Sequence, residues 1–379
     1  MKYLRFFIMP LLISLLILSL LIGPEYLIIF YITLGGLFIL GDYFLPKDKK
    51  KPNYNHTWIL NGALYINLPL FILLYFILGW YCSDTDILGF GHWLQNNYQI
   101  NILNHKDSME FYHYIIAVLS AGLMVAGGGT VVAHELVHRN REKLSKWIGN
   151  WLLALSFDMA FAIDHVYGHH KDVCLKKDSA TAIRGQSLFS FIFSSSIGQF
   201  LTASKIEKKR KKSIYKNRLI QGTLRSLIIV SLMYLIGGFF GLIITLSISL
   251  FAKVLLETVN YIEHYGLVRK EGSKVYPRHS WNSNHLMSNI MLYNLSRHSH
   301  HHEKAYLEFW ELAPYEDAPE MPYGYLSMIY IALLCPWWFN KLMSEKLLHW
   351  DNHYANEDER LIAKQDNKNS KLKILMDSM

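Results

Sequence analysis

The chain has 379 residues, of which 51% are hydrophobic and 18% charged, and a formal net charge of +8. Long apolar runs argue against an assembly of soluble domains. Three distant cysteines (Cys82, Cys174, Cys335) without a C-x-x-C exclude a disulfide framework, a zinc ribbon and a rubredoxin-type iron centre within these residues, and basic residues clustered beside apolar runs fit a membrane protein rather than a nucleic-acid binder.

Tyr3–Ile22 is apolar except for Arg5 and ends at Gly23-Pro24. It exceeds the apolar core of a signal peptide, and Leu27–Leu45 follows at once, so the two read as a hairpin that stays in the membrane. Asp42 lies near the end of the second run, ahead of Lys47, Lys49, Lys50 and Lys51. Trp58–Tyr81 is a third span with aromatic residues at both ends, as interfacial anchors are placed. Phe111–Ala133 is a fourth and runs directly into His134. Its Gly127-Gly128-Gly129 costs helix stability, for which close packing is a better reason than a kink.

Trp147–Ile163 is apolar but only 17 residues long. Residues 204–218 carry eight basic side chains. Leu219–Leu235 and Phe239–Ala252 are the last two spans, joined at Gly237-Gly238, and the final helix continues through Glu257 to His264. Tyr325–Trp338 contains Pro336 and reads as a surface segment, and the charged residues 345–379 as a flexible tail in solvent after an embedded domain of 1–344. The expected fold is all-α and polytopic, with six transmembrane helices. Lysine-rich loops mark the cytoplasmic side, which places 46–56 and 204–218 inside and 82–110 outside. If 147–163 does not cross, every histidine group faces the cytoplasm.

Those groups are the chemical signal. His134 and His138 stand in H-E-L-V-H; His165, His169 and His170 in D-H-V-Y-G-H-H; His264 in N-Y-I-E-H-Y-G; His298, His300, His301 and His302 in R-H-S-H-H-H-E. Neutral imidazole is the commonest transition-metal ligand, and residues three or four apart on a helix share a face. H-E-L-V-H alone matches a zinc protease with Glu135 as general base, but that reading leaves most of the other histidines without a task. A metal transporter would carry its ligands along a path inside the spans. Nine imidazoles exceed one ion's capacity and suit two, and imidazole ligation with open positions suits iron and O2.

These motifs resemble the integral-membrane di-iron oxygenases, which include the fatty-acid desaturases, and most closely the alkane 1-monooxygenases. The likeness rests on the three histidine boxes, on N-Y-x-E-H-Y-G at Asn260–Gly266 and on W-N-S-N-H at Trp281–His285. It implies two iron ions held by His134, His138, His165, His169, His170, His264, His298, His301 and His302. Glu135, Asp164, Asp178, Glu257, Glu263 and Asn284 are candidates to orient those ligands. Asp164 and His300 depart from the family, which carries Glu and Asp at those places. The resemblance further implies hydroxylation of a terminal methyl group of an alkane by O2, an apolar substrate delivered through membrane lipid, and electrons from a rubredoxin-type carrier and its reductase. A fatty-acyl desaturase or an aromatic-methyl or sterol hydroxylase uses similar boxes.

Overall fold

The apolar runs form helices in a computed structural model that describes residues 2–378. Leu4–Ile22 (α1), Pro24–Phe44 (α2), Thr57–Cys82 (α3), Phe111–His138 (α4) and Arg218–His264 (α8) are long and apolar enough to cross a membrane. Between them lie α5 (Lys143–Ala154), α6 (161–172) and α7 (Leu188–Arg210); α9 (His298–Glu303), α10 (Tyr325–Leu334), α11 (Pro336–His353) and α12 (Glu357–Asn369) follow. Among the described residues the only strand-like pairings are two isolated bridges, Lys47 with His285 and Asn282 with Glu320.

The 47 residues of α8 would extend about 70 Å if straight, more than twice a bilayer's hydrocarbon core. They are not straight. Gly238 adopts φ 59° and ψ −153°, outside helical geometry. A Cβ added to Gly241 would lie 2.5 Å from the carbonyl oxygen of Met233, eight residues back, which only a reversal allows. Ser226 and Ser249 accordingly donate to the adjacent carbonyls of Ala154 (3.1 Å) and Leu155 (2.6 Å). The helix therefore has two arms, 218–237 and 239–264, as the Gly-Gly pair led one to expect. In contrast, α5 covers 12 residues, about 18 Å, too short for a crossing.

Residues group into two units. One holds α1, α2 as far as Leu37, α3, α4, α5 and Ile220–Lys253 of α8; the other holds Phe38–Asn53, α6, α7, the two ends of α8, and α9 to α12. In the first unit, residues Val125–Val131 of α4 form a π-helical stretch around the triple glycine. Cβ atoms at Gly127 and Gly128 would meet Met9 at 2.5 Å and Ile13 at 2.8 Å, so the glycines serve close packing and a local change of pitch together. In the second unit, Asp42 accepts from the Ser288 amide and hydroxyl and from the Ser327 amide, anchoring the end of α2. Of the segment 345–379, read from composition as a fraying tail, the described residues 345–378 are largely helical and tied down. Arg184 holds Asp351 (2.6 Å) and Asn367 (2.6 Å), and Glu359 is fully buried.

Candidate metal centre

In the first unit, α4 presents His134 and His138 one turn apart, with ring centroids separated by 5.0 Å. Glu135 between them accepts from Arg139 Nε (3.1 Å) and Nη2 (2.9 Å). Arg139 also donates to Asn61 at 2.6 Å, so this carboxylate is held in a buried ion pair.

The second unit carries the other seven proposed ligands. His165–His169 is π-helical, and the His170 amide bonds back to the His165 carbonyl. On an α-helix, residues five apart point about 140° away from each other. The wider π turn aligns them, so His165 and His170 meet, Nε2 to Nε2 at 3.0 Å. The D-H-V-Y-G-H-H group therefore divides differently from the four-residue spacing read in the sequence. His170 Nε2 also lies 3.1 Å from His301 Nε2, making a trio of His165, His170 and His301. His169 joins His264, His298 and His302 instead, and one nitrogen from each of these four lies within 4.8 Å of the others. All four are at least nine-tenths buried, and the His302 ring stacks on His170 at 4.3 Å, so quartet and trio adjoin.

Ligand nitrogens need fixed tautomers, and the structure supplies the partners. His169 Nδ1 donates to Asp178 Oδ2 at 2.9 Å; Asp178 is positioned by the Thr181 hydroxyl at 2.6 Å. Burial disfavours charge on both, yet their attraction prevails, raising the His169 pKa above its usual 6.5 and lowering that of Asp178. His264 Nδ1 donates to the His279 carbonyl at 2.9 Å, leaving Nε2 for the quartet, where it lies 3.1 Å from His298 Nε2. Glu263 approaches that same His298 nitrogen at 3.3 Å. Glu257, fully buried on α8, accepts from Gln199 (2.9 Å) and Asn260 (3.2 Å). Asp164 is buried against Gly168. Asn284 donates to Glu320 at 2.9 Å rather than to an imidazole.

His300 faces away from both sets. Its Nδ1 accepts the Ala313 amide at 2.8 Å and its ring lies over Tyr315. Burial, then Lys304 and Lys51, lowers its pKa to about 4. His279 and Gln199 were not visible as site residues in the sequence, because neither stands in a histidine box; only the buried partners reveal them.

The donor set fits a transition metal. Nitrogens about 2.1 Å from one ion and cis to each other lie about 3.0 Å apart, matching the observed 3.0–3.1 Å contacts. Both nitrogens of His302 are buried without a hydrogen-bond partner, a costly state that a bound ion relieves. Burial, followed by the neighbouring imidazoles, pushes its pKa well below 6.5, leaving a neutral ring able to ligate.

Comparison with known proteins agrees with this geometry. The "Fatty acid desaturase" family model matches residues 110–332, a range containing all nine proposed ligand histidines. Alkane 1-monooxygenase 1 of Pseudomonas aeruginosa is 36% identical over 259 residues, 65% of this chain and 66% of that protein. Alkane 1-monooxygenase 2 of the same organism is 35% identical over 275 residues, 70% and 72%. The xylene/toluene monooxygenase hydroxylase component XylM of Pseudomonas putida is 28% identical over 375 residues, 97% and 95%. The match thus spans about two thirds of the alkane relatives' length and nearly all of the xylene relative's.

Proposed function

The chain belongs to the fatty acid desaturase family, and from that premise we propose that it is an O2-dependent membrane hydroxylase of the alkane 1-monooxygenase kind. The observation that carries the reading is the buried quartet of His169, His264, His298 and His302 beside the trio of His165, His170 and His301. Three imidazoles would leave a first-row ion short of ligands, and the likeness of the motifs assigns His134 and His138 to the ligand set as well. The metal is iron, two ions per chain, because imidazole-rich sets with open positions suit non-haem iron and O2.

Bound iron supplies the redox chemistry that inserts one oxygen atom into a C–H bond of a terminal methyl group. The residues described here do the rest. Asp178 and the His279 carbonyl hold His169 and His264 in the tautomers that present Nε2. Asp178, whose pKa is lowered by the adjacent His169, places negative charge near a site that accumulates cationic charge. An apolar cavity of about 420 Å³ in the first unit, lined by residues including Phe71, Tyr75, Trp151, Leu155 and Met233, suits a hydrocarbon.

The two arms of α8 support six crossings, and the lysine-rich loops support a cytoplasmic site in a bacterial inner membrane. Electrons come from a rubredoxin-type carrier and its reductase, since no C-x-x-C lies within these residues. A zinc protease built on H-E-L-V-H is disfavoured because Glu135 is paired with Arg139 and the buried quartet contains neither His134 nor His138.

A second reading, hydroxylation of an aromatic methyl group, is favoured by the XylM match over almost the whole chain. Membranes from a host expressing the chain, supplied with rubredoxin and reductase, decide between them when fed a ladder of alkanes alongside toluene and xylenes. Primary alkanols by gas chromatography support the first reading, and benzylic alcohols alone would replace it with the second. Purified protein should hold about two irons per chain; zinc without iron would defeat both.

A further inference from the structure

The ligand His264 is connected to the C-terminal helix through one intermediate residue. The His279 carbonyl, which accepts from His264 Nδ1 at 2.9 Å, also receives the Cys174 thiol at 3.1 Å. The His279 side chain is fully buried. Its Nδ1 accepts the Tyr276 amide at 3.0 Å, so its single proton sits on Nε2 and is donated to Glu359 Oε1 at 2.8 Å. The other carboxylate oxygen takes Arg278 Nε at 2.9 Å. Glu359 is fixed in turn by the start of α12, where Asn356 accepts its amide at 2.9 Å. Trp350 closes the corner by donating its indole N–H to the Arg278 carbonyl at 2.7 Å.

We propose that Glu359 is a positioning residue for the metal centre: by holding the His279 ring and Arg278, it sets the carbonyl that aims the imidazole of His264. A ligating imidazole can rotate about its Cβ–Cγ bond unless its far nitrogen is anchored, and here the anchor is a main-chain oxygen in an irregular loop. Pro277–His279 is a single 3₁₀ turn without a long helix to stiffen it. Its position is determined by what grips its side chains. A carboxylate suits the task because its two oxygens serve the imidazole N–H and the guanidinium together. A carboxylate kept only to anchor the tail would not need to sit fully buried on the residue whose carbonyl accepts from His264. Asp358, next to Glu359 on the same helix, already forms an exposed pair with Lys270 at 2.8 Å.

The inference rests on the metal-centre reading above, and the experiment separates the two. The full-length chain is purified as wild type, Glu359→Ala, Glu359→Gln and Asp358→Asn. Iron content, Mössbauer spectrum, the ligand-field spectrum after cobalt(II) substitution, and helix content by circular dichroism are then compared. Glu359→Ala should bind metal roughly 10–100-fold more weakly while keeping its helix content. Glu359→Gln, whose amide oxygen still accepts from His279, should retain the iron with a shifted signal for one of the two sites. Asp358→Asn should match the wild type. If Glu359→Ala keeps wild-type iron and an unchanged spectrum, or Asp358→Asn loses as much, Glu359 merely anchors the tail and the inference falls. Should the alanine variant not fold, the glutamine variant decides, an unshifted spectrum overturning the proposal. A wild-type protein without metal would instead overturn the metal-centre reading.

Discussion

His302 and His169 belong to one quartet but meet a proton differently. Burial, then four neighbouring imidazoles, leaves His302 neutral well below pH 6.5. For His169, burial is outweighed by Asp178, so in the metal-free protein it stays protonated at and above its usual 6.5. A metal must displace that proton. The apparent affinity of the apo-protein should therefore rise about tenfold per pH unit upward from pH 6.5, flattening once His169 has titrated. The pair's contribution to apo-protein stability runs the other way. A raised folded pKa stabilises fully below the unfolded value and is lost as pH rises through the folded one. Competition titration with a chromophoric chelator between pH 6 and 8 measures the first trend, and a flat profile would contradict it. In Asp178→Ala the pH step should move down, because the raising charge is gone. The affinity should also fall roughly 10–100-fold, because His169 loses its orienting acceptor.

At the scale of elements, two π-helical stretches precede or contain histidines of the proposed centre, Val125–Val131 in α4 and His165–His169 in α6. In α4 the stretch depends on glycine. A Cβ at Gly128 would lie 2.8 Å from Ile13, 3.0 Å from Asn67 and 3.2 Å from Met9. Gly128→Val should destabilise the protein by about 1–3 kcal/mol through overpacking, read as a lower melting temperature, and should reduce iron content. Unchanged stability would mean the neighbours yield freely. The sequence made the helices and the Gly237-Gly238 interruption of α8 legible, because apolar runs and paired glycines are local patterns, and it pointed to the imidazoles as clusters. It did not reveal that His165 pairs with His170, because π pitch leaves no spacing signature distinct from α. Nor did it reveal Glu359. The run N-E-D-E reads as a capping box, but its burial depends on His279, eighty positions away in the chain.

For the whole molecule the decisive element is α8, since its reversal determines how many times the chain crosses. Read as one 47-residue helix it gives five crossings in all and puts the basic loop 204–218 and His264 on opposite sides. Read as two arms it gives six and returns His264 to the side of the lysines. The serines on its two arms favour the second reading: Ser226 and Ser249 bond adjacent carbonyls, whereas 23 residues of straight helix would separate them by about 35 Å. Lipid-facing side chains flank the turn, with Leu235 and Phe239 both strongly exposed. Short tags at residues 50, 212 and 272 should therefore report the cytoplasm, and tags at 95 and 238 the opposite side. Gly238 and Gly272 leave open space where a side chain would begin. A tag at 272 reporting opposite to 212 would restore five crossings. His264 could not then share a cytoplasmic site with ligands on the other side, and the nine-histidine centre would have to be abandoned.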